Sequence, residues 1–68
     1  MQQDDPLRGR EIIYEYYSYG QYVRVSAMDA KTLTEVRVLC SRYSTETVMQ
    51  NNARRRLAYV LRKKGYIK

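Results

Sequence analysis

Residues 22–28, YVRVSAM, alternate strictly: Val23, Val25 and Ala27 fall on one side, Tyr22, Arg24, Ser26 and Met28 on the other. A period of two residues marks a half-buried strand. Ahead of it, residues 11–18 (EIIYEYYS) are rich in Ile and Tyr, which suit a pleated surface, and predict another strand. Residues 34–40 predict a third, with Val36, Val38 and Cys40 on one face. Then the period changes. Met49, Ala53, Leu57, Val60 and Leu61 make a single apolar stripe at helical spacing. Ser44 is placed to cap that helix, and Glu46 lies in its first turn, where an acid complements the dipole. Gly65 is placed to end it as the C′ residue, after Arg62, Lys63 and Lys64, with Tyr66 returning to Leu61.

The turns suggest a register. Gly20 supplies a positive φ for a tight hairpin across Ser18-Tyr19-Gly20-Gln21. With Ser18 facing Gln21, Tyr16 faces Val23, Tyr14 faces Val25 and Ile12 faces Ala27; on the other side Tyr17 meets Tyr22 and Glu15 meets Arg24. In the second hairpin, pairing Val25 with Val38 and Ala27 with Val36 keeps Arg24 away from Arg37. Its loop, 29–33, puts Leu33 where such loops favour a left-handed glycine, so strain is expected there. The fold class that follows is α+β: a three-stranded antiparallel β-meander packed against one C-terminal α-helix. Residues 1–9 show no periodicity and read as a flexible tail, leaving 10–68 as a single β-β-β-α domain. A chain of 68 residues has no room for a second domain, and its core is marginal.

The aromatic residues are all tyrosines, and Tyr14, Tyr16, Tyr17 and Tyr19 crowd into residues 12–19. The register sends Tyr14 and Tyr16 into the core as filler, each needing a partner for its hydroxyl. Ile13, Tyr17, Tyr22 and Met28 fall on the opposite, uncovered face. They stabilise the sheet by cross-strand contact or form a protein interface. Base stacking is less favoured there, because Glu11, Glu15 and Glu35 mix with Arg24 and Arg37.

Charge changes the picture further along. The net charge is +6, but residues 1–35 hold four basic and six acidic side chains, whereas residues 36–68 hold nine basic and one acidic. That asymmetry suggests a polyanionic partner on the C-terminal side. On the helix, Arg55, Tyr59 and Arg62 lie away from the Leu57 stripe, flanked by Arg56 and Lys63. Cations spaced along a rigid element suit phosphates, and Tyr59 between them suits stacking on a base or sugar. A solvated outer face, or contact with an anionic membrane or acidic protein, fits the same residues.

Other chemistries are not expected. The lone Cys40 forms no internal disulfide and reads as a buried small hydrophobe; without His there is no zinc constellation and no base for a catalytic thiol. Glu15, Glu35 and Glu46 make no acid–base pair, and no glycine-rich phosphate loop or hydrolase motif is present. No enzymatic activity, cofactor, metal or small-molecule substrate is expected. The start, MQQDDPLRGRE, is too polar for a signal peptide, no apolar run suits a membrane helix, and a free thiol fits a reducing compartment; the expected location is cytoplasmic.

The stretch 20–29, GQYVRVSAMD, followed by Thr34-Glu35-Val36, and the later 56–65, RLAYVLRKKG, resemble a small bacterial domain family of unknown function. The resemblance spans roughly residues 10–65; Ala30 and Leu33 depart from the Pro and Gly of that family's second hairpin. It implies a strand-strand-strand-helix fold and no activity. The same order with a basic last helix is also similar to the back portion of double-stranded RNA-binding domains, whose leading helix and lysine motif this chain lacks. Two functions follow as expectations. One is a module contacting RNA or DNA, RNA favoured, through Arg55, Arg56, Tyr59, Arg62 and Lys63. The other is a protein-interaction or homodimerisation module using Ile13, Tyr17, Tyr22 and Met28.

Overall fold

A computed structural model of the protein describes residues 5–68. Three strands, β1 (Ile12–Tyr19), β2 (Tyr22–Asp29) and β3 (Thr34–Ser41), form one antiparallel sheet in sequence order, and helix α1 (Glu46–Lys63) covers one side of it. The α+β class and the meander expected from the hydrophobic pattern are both present.

The second hairpin has the expected register, Val25 opposite Val38 and Ala27 opposite Val36. The first is shifted by two residues: Tyr19 pairs with Tyr22, Tyr17 with Arg24, Tyr16 with Val25 and Tyr14 with Ala27. The turn is therefore Gly20-Gln21, not Tyr19-Gly20. Gly20 has φ +53° and Gln21 is not left-handed, which puts the positive φ at the first central position, as a type II′ turn requires. A Tyr19-Gly20 turn would place glycine second, where it suits a type II turn that splays the strands. A two-residue shift preserves which face each side chain occupies. Tyr17 accordingly stays on the outer face but meets Arg24 instead of Tyr22.

The buried side of the sheet is Val23, Val25, Ala27, Val36 and Cys40, roofed by Met49, Ala53, Leu57, Ala58 and Leu61. α1 packs on β2 and β3, leaving β1 as a thinly covered edge. That explains a further difference. Tyr14 packs half-buried against the core, but Tyr16 stays 39% exposed at the rim. Its hydroxyl donates to Glu46 (3.3 Å) and accepts from the Gln50 amide (2.9 Å), so the first turns of the helix hold it from above.

Residues 1–9 were expected to be a flexible tail. Residues 1–4 lie outside the described residues, but Leu7 is buried at 1% exposure within the main core cluster. Asp5 makes this possible. Its carboxylate accepts from the Leu7 amide (2.9 Å) and pairs with Arg54, while its carbonyl accepts from the Arg8 amide (3.0 Å). A lone leucine among polar residues has no periodicity to betray it, yet burying it contributes roughly 1.5–3 kcal/mol.

The helix starts one residue later than expected. Ser44 is taken up by the turn that ends β3, its amide donating to the Ser41 carbonyl (3.0 Å), and Thr45 caps instead, its Oγ1 accepting from the Val48 amide (3.2 Å). The end is as expected: Gly65, at φ +82°, donates to the Arg62 carbonyl, and the Tyr66 amide reaches the Leu61 carbonyl at 2.9 Å, completing the Schellman motif.

Leu33 is left-handed at φ +60° and 70% exposed. A non-glycine residue there costs on the order of 1–3 kcal/mol, against about 0.5–1 kcal/mol of extra unfolded-state entropy for glycine. Leu33→Gly is therefore expected to stabilise the domain by about 1 kcal/mol, seen as a melting temperature several degrees higher. An unchanged or lower value would show that the loop carries no such strain.

Candidate nucleic-acid interface

The residues that turn outward from α1 do so because the stripe between them is fixed. Leu57, Ala58 and Leu61 are buried, so a helix of 3.6 residues per turn must point Arg55, Tyr59 and Arg62 the other way. All three are exposed, as are Arg56 and Lys63. Arg56, one turn before Tyr59, and Lys63, one turn after it, both lean on its ring, at 5.6 and 5.7 Å from the centroid. Each contact contributes roughly 0.5–1 kcal/mol at an exposed site. Tyr59 therefore spaces two cations instead of presenting a free ring.

The basic residues of the helix divide by partner. Arg54 is held against the body of the domain, its guanidinium donating to the Tyr14 hydroxyl (3.2 Å) and pairing with Asp5. Those partners hold its pKa above the ordinary value although burial acts in the opposite sense. Among the described residues the ion pairs are Arg10–Asp29, Arg37–Glu35 and Arg54–Asp5, so Arg55, Arg56, Arg62 and Lys63 have no Asp or Glu carboxylate at salt-bridge distance. Arg55 donates to the Asn52 side chain (3.3 Å), which orients its guanidinium without a charged partner, and Arg62 donates to the main-chain oxygen of Lys68 (3.1 Å). A shallow groove lined by Pro6, Leu7, Asn51 and Arg55 runs alongside.

The open side of the sheet collects the other candidates. Ile13 (41% exposed) pairs with the half-buried Met28; Tyr17 (48%) pairs with Arg24; Tyr22 (56%) pairs with Tyr19. The sequence reading missed two contributors to this face. Tyr19 was assigned to the turn by the shifted register. Leu39, opposite Arg24 and 66% exposed, follows from the alternation of β3. The Arg24 guanidinium lies 4.8 Å from the ring centre of its cross-strand partner Tyr17 and 5.6 Å from that of Tyr19.

Cys40 is a free thiol buried beneath the helix, with the Asn52 amide 3.8 Å from its sulfur. Among the described residues no group of three or more His, Cys, Asp or Glu is gathered as a metal site, and no helix is long and apolar enough to cross a membrane.

A family model described as Domain of unknown function (DUF6898) matches residues 9–64, which span all three strands and the helix. Neither the curated proteins nor the solved structures contain a match to the chain.

Proposed function

The chain belongs to the DUF6898 family of domains of unknown function, and from that premise we propose that it is a small non-enzymatic binding module contacting nucleic acid through the outward face of α1. The observation that carries this reading is the set Arg55, Arg56, Arg62 and Lys63, none paired with an Asp or Glu among the described residues, ranged along a helix seated on the core. Phosphate neutralisation needs fixed cations with uncompensated charge. Arg56 and Lys63 against the Tyr59 ring favour reading of the phosphate backbone over stacking on bases. That favours RNA over DNA. An A-form duplex is recognised by shape and backbone, since side chains cannot read its deep major groove. A lone buried thiol suits a reducing cytoplasm as the setting.

Four phosphate contacts predict that log K falls against log salt with a slope of about −3 to −4, so affinity drops on the order of hundredfold between 50 and 200 mM. An amide chemical-shift titration with a short RNA duplex at those two salt concentrations tests it, with a DNA duplex in parallel. Amides of residues 55–63 are expected to move, and Arg55→Gln with Arg62→Gln to reduce the slope by about 2. No binding at the lower salt, or shifts confined to the sheet face, would eliminate the reading.

A further inference from the structure

The uncovered sheet face presents four cross-strand rows: Ile13–Met28–Glu35, Glu15–Ser26–Arg37, Tyr17–Arg24–Leu39 and Tyr19–Tyr22–Ser41. Its large apolar side chains fall in two groups, Ile13 with Met28 at one end and Tyr17, Leu39, Tyr19 and Tyr22 at the other, separated by the polar Glu15–Ser26–Arg37 row. Exposed apolar surface of this kind marks interaction sites. The charges on it are of both signs and unevenly placed. Glu15 and Glu35 stand in the first two rows, with Arg37 held by Glu35 at 3.6 Å. The last two rows contain no acid, and their single cation, Arg24, has a buried Nε with no hydrogen-bond partner.

We propose that this face is the interface of a homodimer, in which a second copy of the chain lies sheet against sheet with its rows in reverse order. Turning one copy end for end brings Ile13 and Met28 onto the Tyr19–Tyr22 row of the other. The same rotation carries the Glu15 row over the Arg24 row. A two-fold axis repeats both contacts, which is what a self-complementary surface requires. Other occupants fit less well. The two glutamates repel a phosphate backbone, and the two arginines oppose a uniformly basic partner. The four paired rows sum to neutral, two glutamates against two arginines, although the chain carries +6, so the charge that opposes self-association lies elsewhere on the molecule.

The size of the face sets the strength. Strand rise and spacing give three eight-residue strands a footprint of about 400 Å² per copy, broadened by the tyrosines. That is about 800 Å² in total, below the roughly 1,200–2,000 Å² of stable specific interfaces, so the association is a weak, reversible one with a dissociation constant expected on the order of 10–100 µM. The helices would then lie on the two outer sides of a four-layer assembly. Their basic faces would point in opposite directions, on the order of 30 Å apart for layers spaced about 10 Å.

Sedimentation of the full chain without nucleic acid, from 5 µM to 1 mM, tests the dimer independently of any binding by α1. The expected result is a mass rising from monomer to dimer within that range. Leu39→Lys and Tyr22→Lys, whose side chains face solvent, are each expected to weaken association at least tenfold while circular dichroism reports an unchanged fold. Val48→Lys, which adds the same charge on the helix, is expected to leave it unchanged. A monomer at 1 mM, or a dimer indifferent to both sheet-face variants, would overturn the proposal.

Discussion

Leu57→Ala is expected to remove about a third or more of the stability of this domain. Leu57 lies mid-helix, fully buried, where α1 crosses β2 and β3. Truncating a buried leucine costs about 2–5 kcal/mol, through lost transfer free energy and the cavity left behind. The upper half of that range applies where the site cannot collapse. Here the floor is a hydrogen-bonded sheet and the roof a single helix capped at both ends, so neither moves in easily. A domain of this length has a total stability of roughly 3–10 kcal/mol. Loss of about 3–4 kcal/mol corresponds to a melting temperature lower by about 15–30 °C. A thermal melt followed by circular dichroism measures it. Leu39→Ala is the matched control, because Leu39 is 66% exposed and its loss should stay within about 0.5 kcal/mol. Equal shifts for the two leucines would mean that the helix is not seated on the sheet as described.

That contrast between two leucines marks what the chain makes legible. Periodicity decides faces: alternation separates Val23, Val25 and Ala27 from Tyr22, Arg24 and Met28, and the helical stripe marks Leu57 and Leu61 as the roof. It does not decide pairing. Gly20 fits either central position of a two-residue turn by composition, and only the strand twist selects the first. The error was an even number of residues, so the core survived it while every cross-strand neighbour of β1 changed. The Arg24 stack on Tyr17 and Tyr19 was therefore unreadable, although all three residues were in view. The outward cations of α1 were readable because helical geometry alone places them; the tie of Arg54 to Tyr14 and Asp5 was not, since it joins residues far apart in the chain. Ser44 and Thr45 are equally good caps in isolation, and the turn closing β3 chooses between them. Leu33, by contrast, was legible from loop length alone.

Asp29→Ala is expected to cost about 3 kcal/mol and Asp29→Asn about half of that. Asp29 closes β2 with its side chain fully buried, and its Oδ2 accepts from the Arg10 guanidinium (2.8 Å), the Thr32 amide (3.2 Å) and the Thr32 hydroxyl (2.6 Å). The same Arg10 donates to the Tyr66 carbonyl (3.2 Å), so one carboxylate ties together the approach to β1, the second hairpin and the segment after α1. Breaking a buried pair by removing one partner costs about 3–5 kcal/mol; the arginine side chain keeps 17% exposure, which places this case at the low end. Burial by itself would raise the Asp29 pKa, but the Thr32 hydroxyl and amide and the charge of Arg10 outweigh it and hold the carboxyl below its ordinary 3.8. A group whose pKa is lower in the folded state contributes stability that is fully present above its unfolded pKa and is lost as pH falls through the folded one. The wild type should therefore lose stability progressively below about pH 4, and Asp29→Asn should lose less over the same range. Melting temperatures of the two proteins between pH 7 and pH 2 are expected to converge as the carboxyl protonates. Curves that stay parallel down to pH 2 would show that the charge of Asp29 adds nothing to its hydrogen bonds.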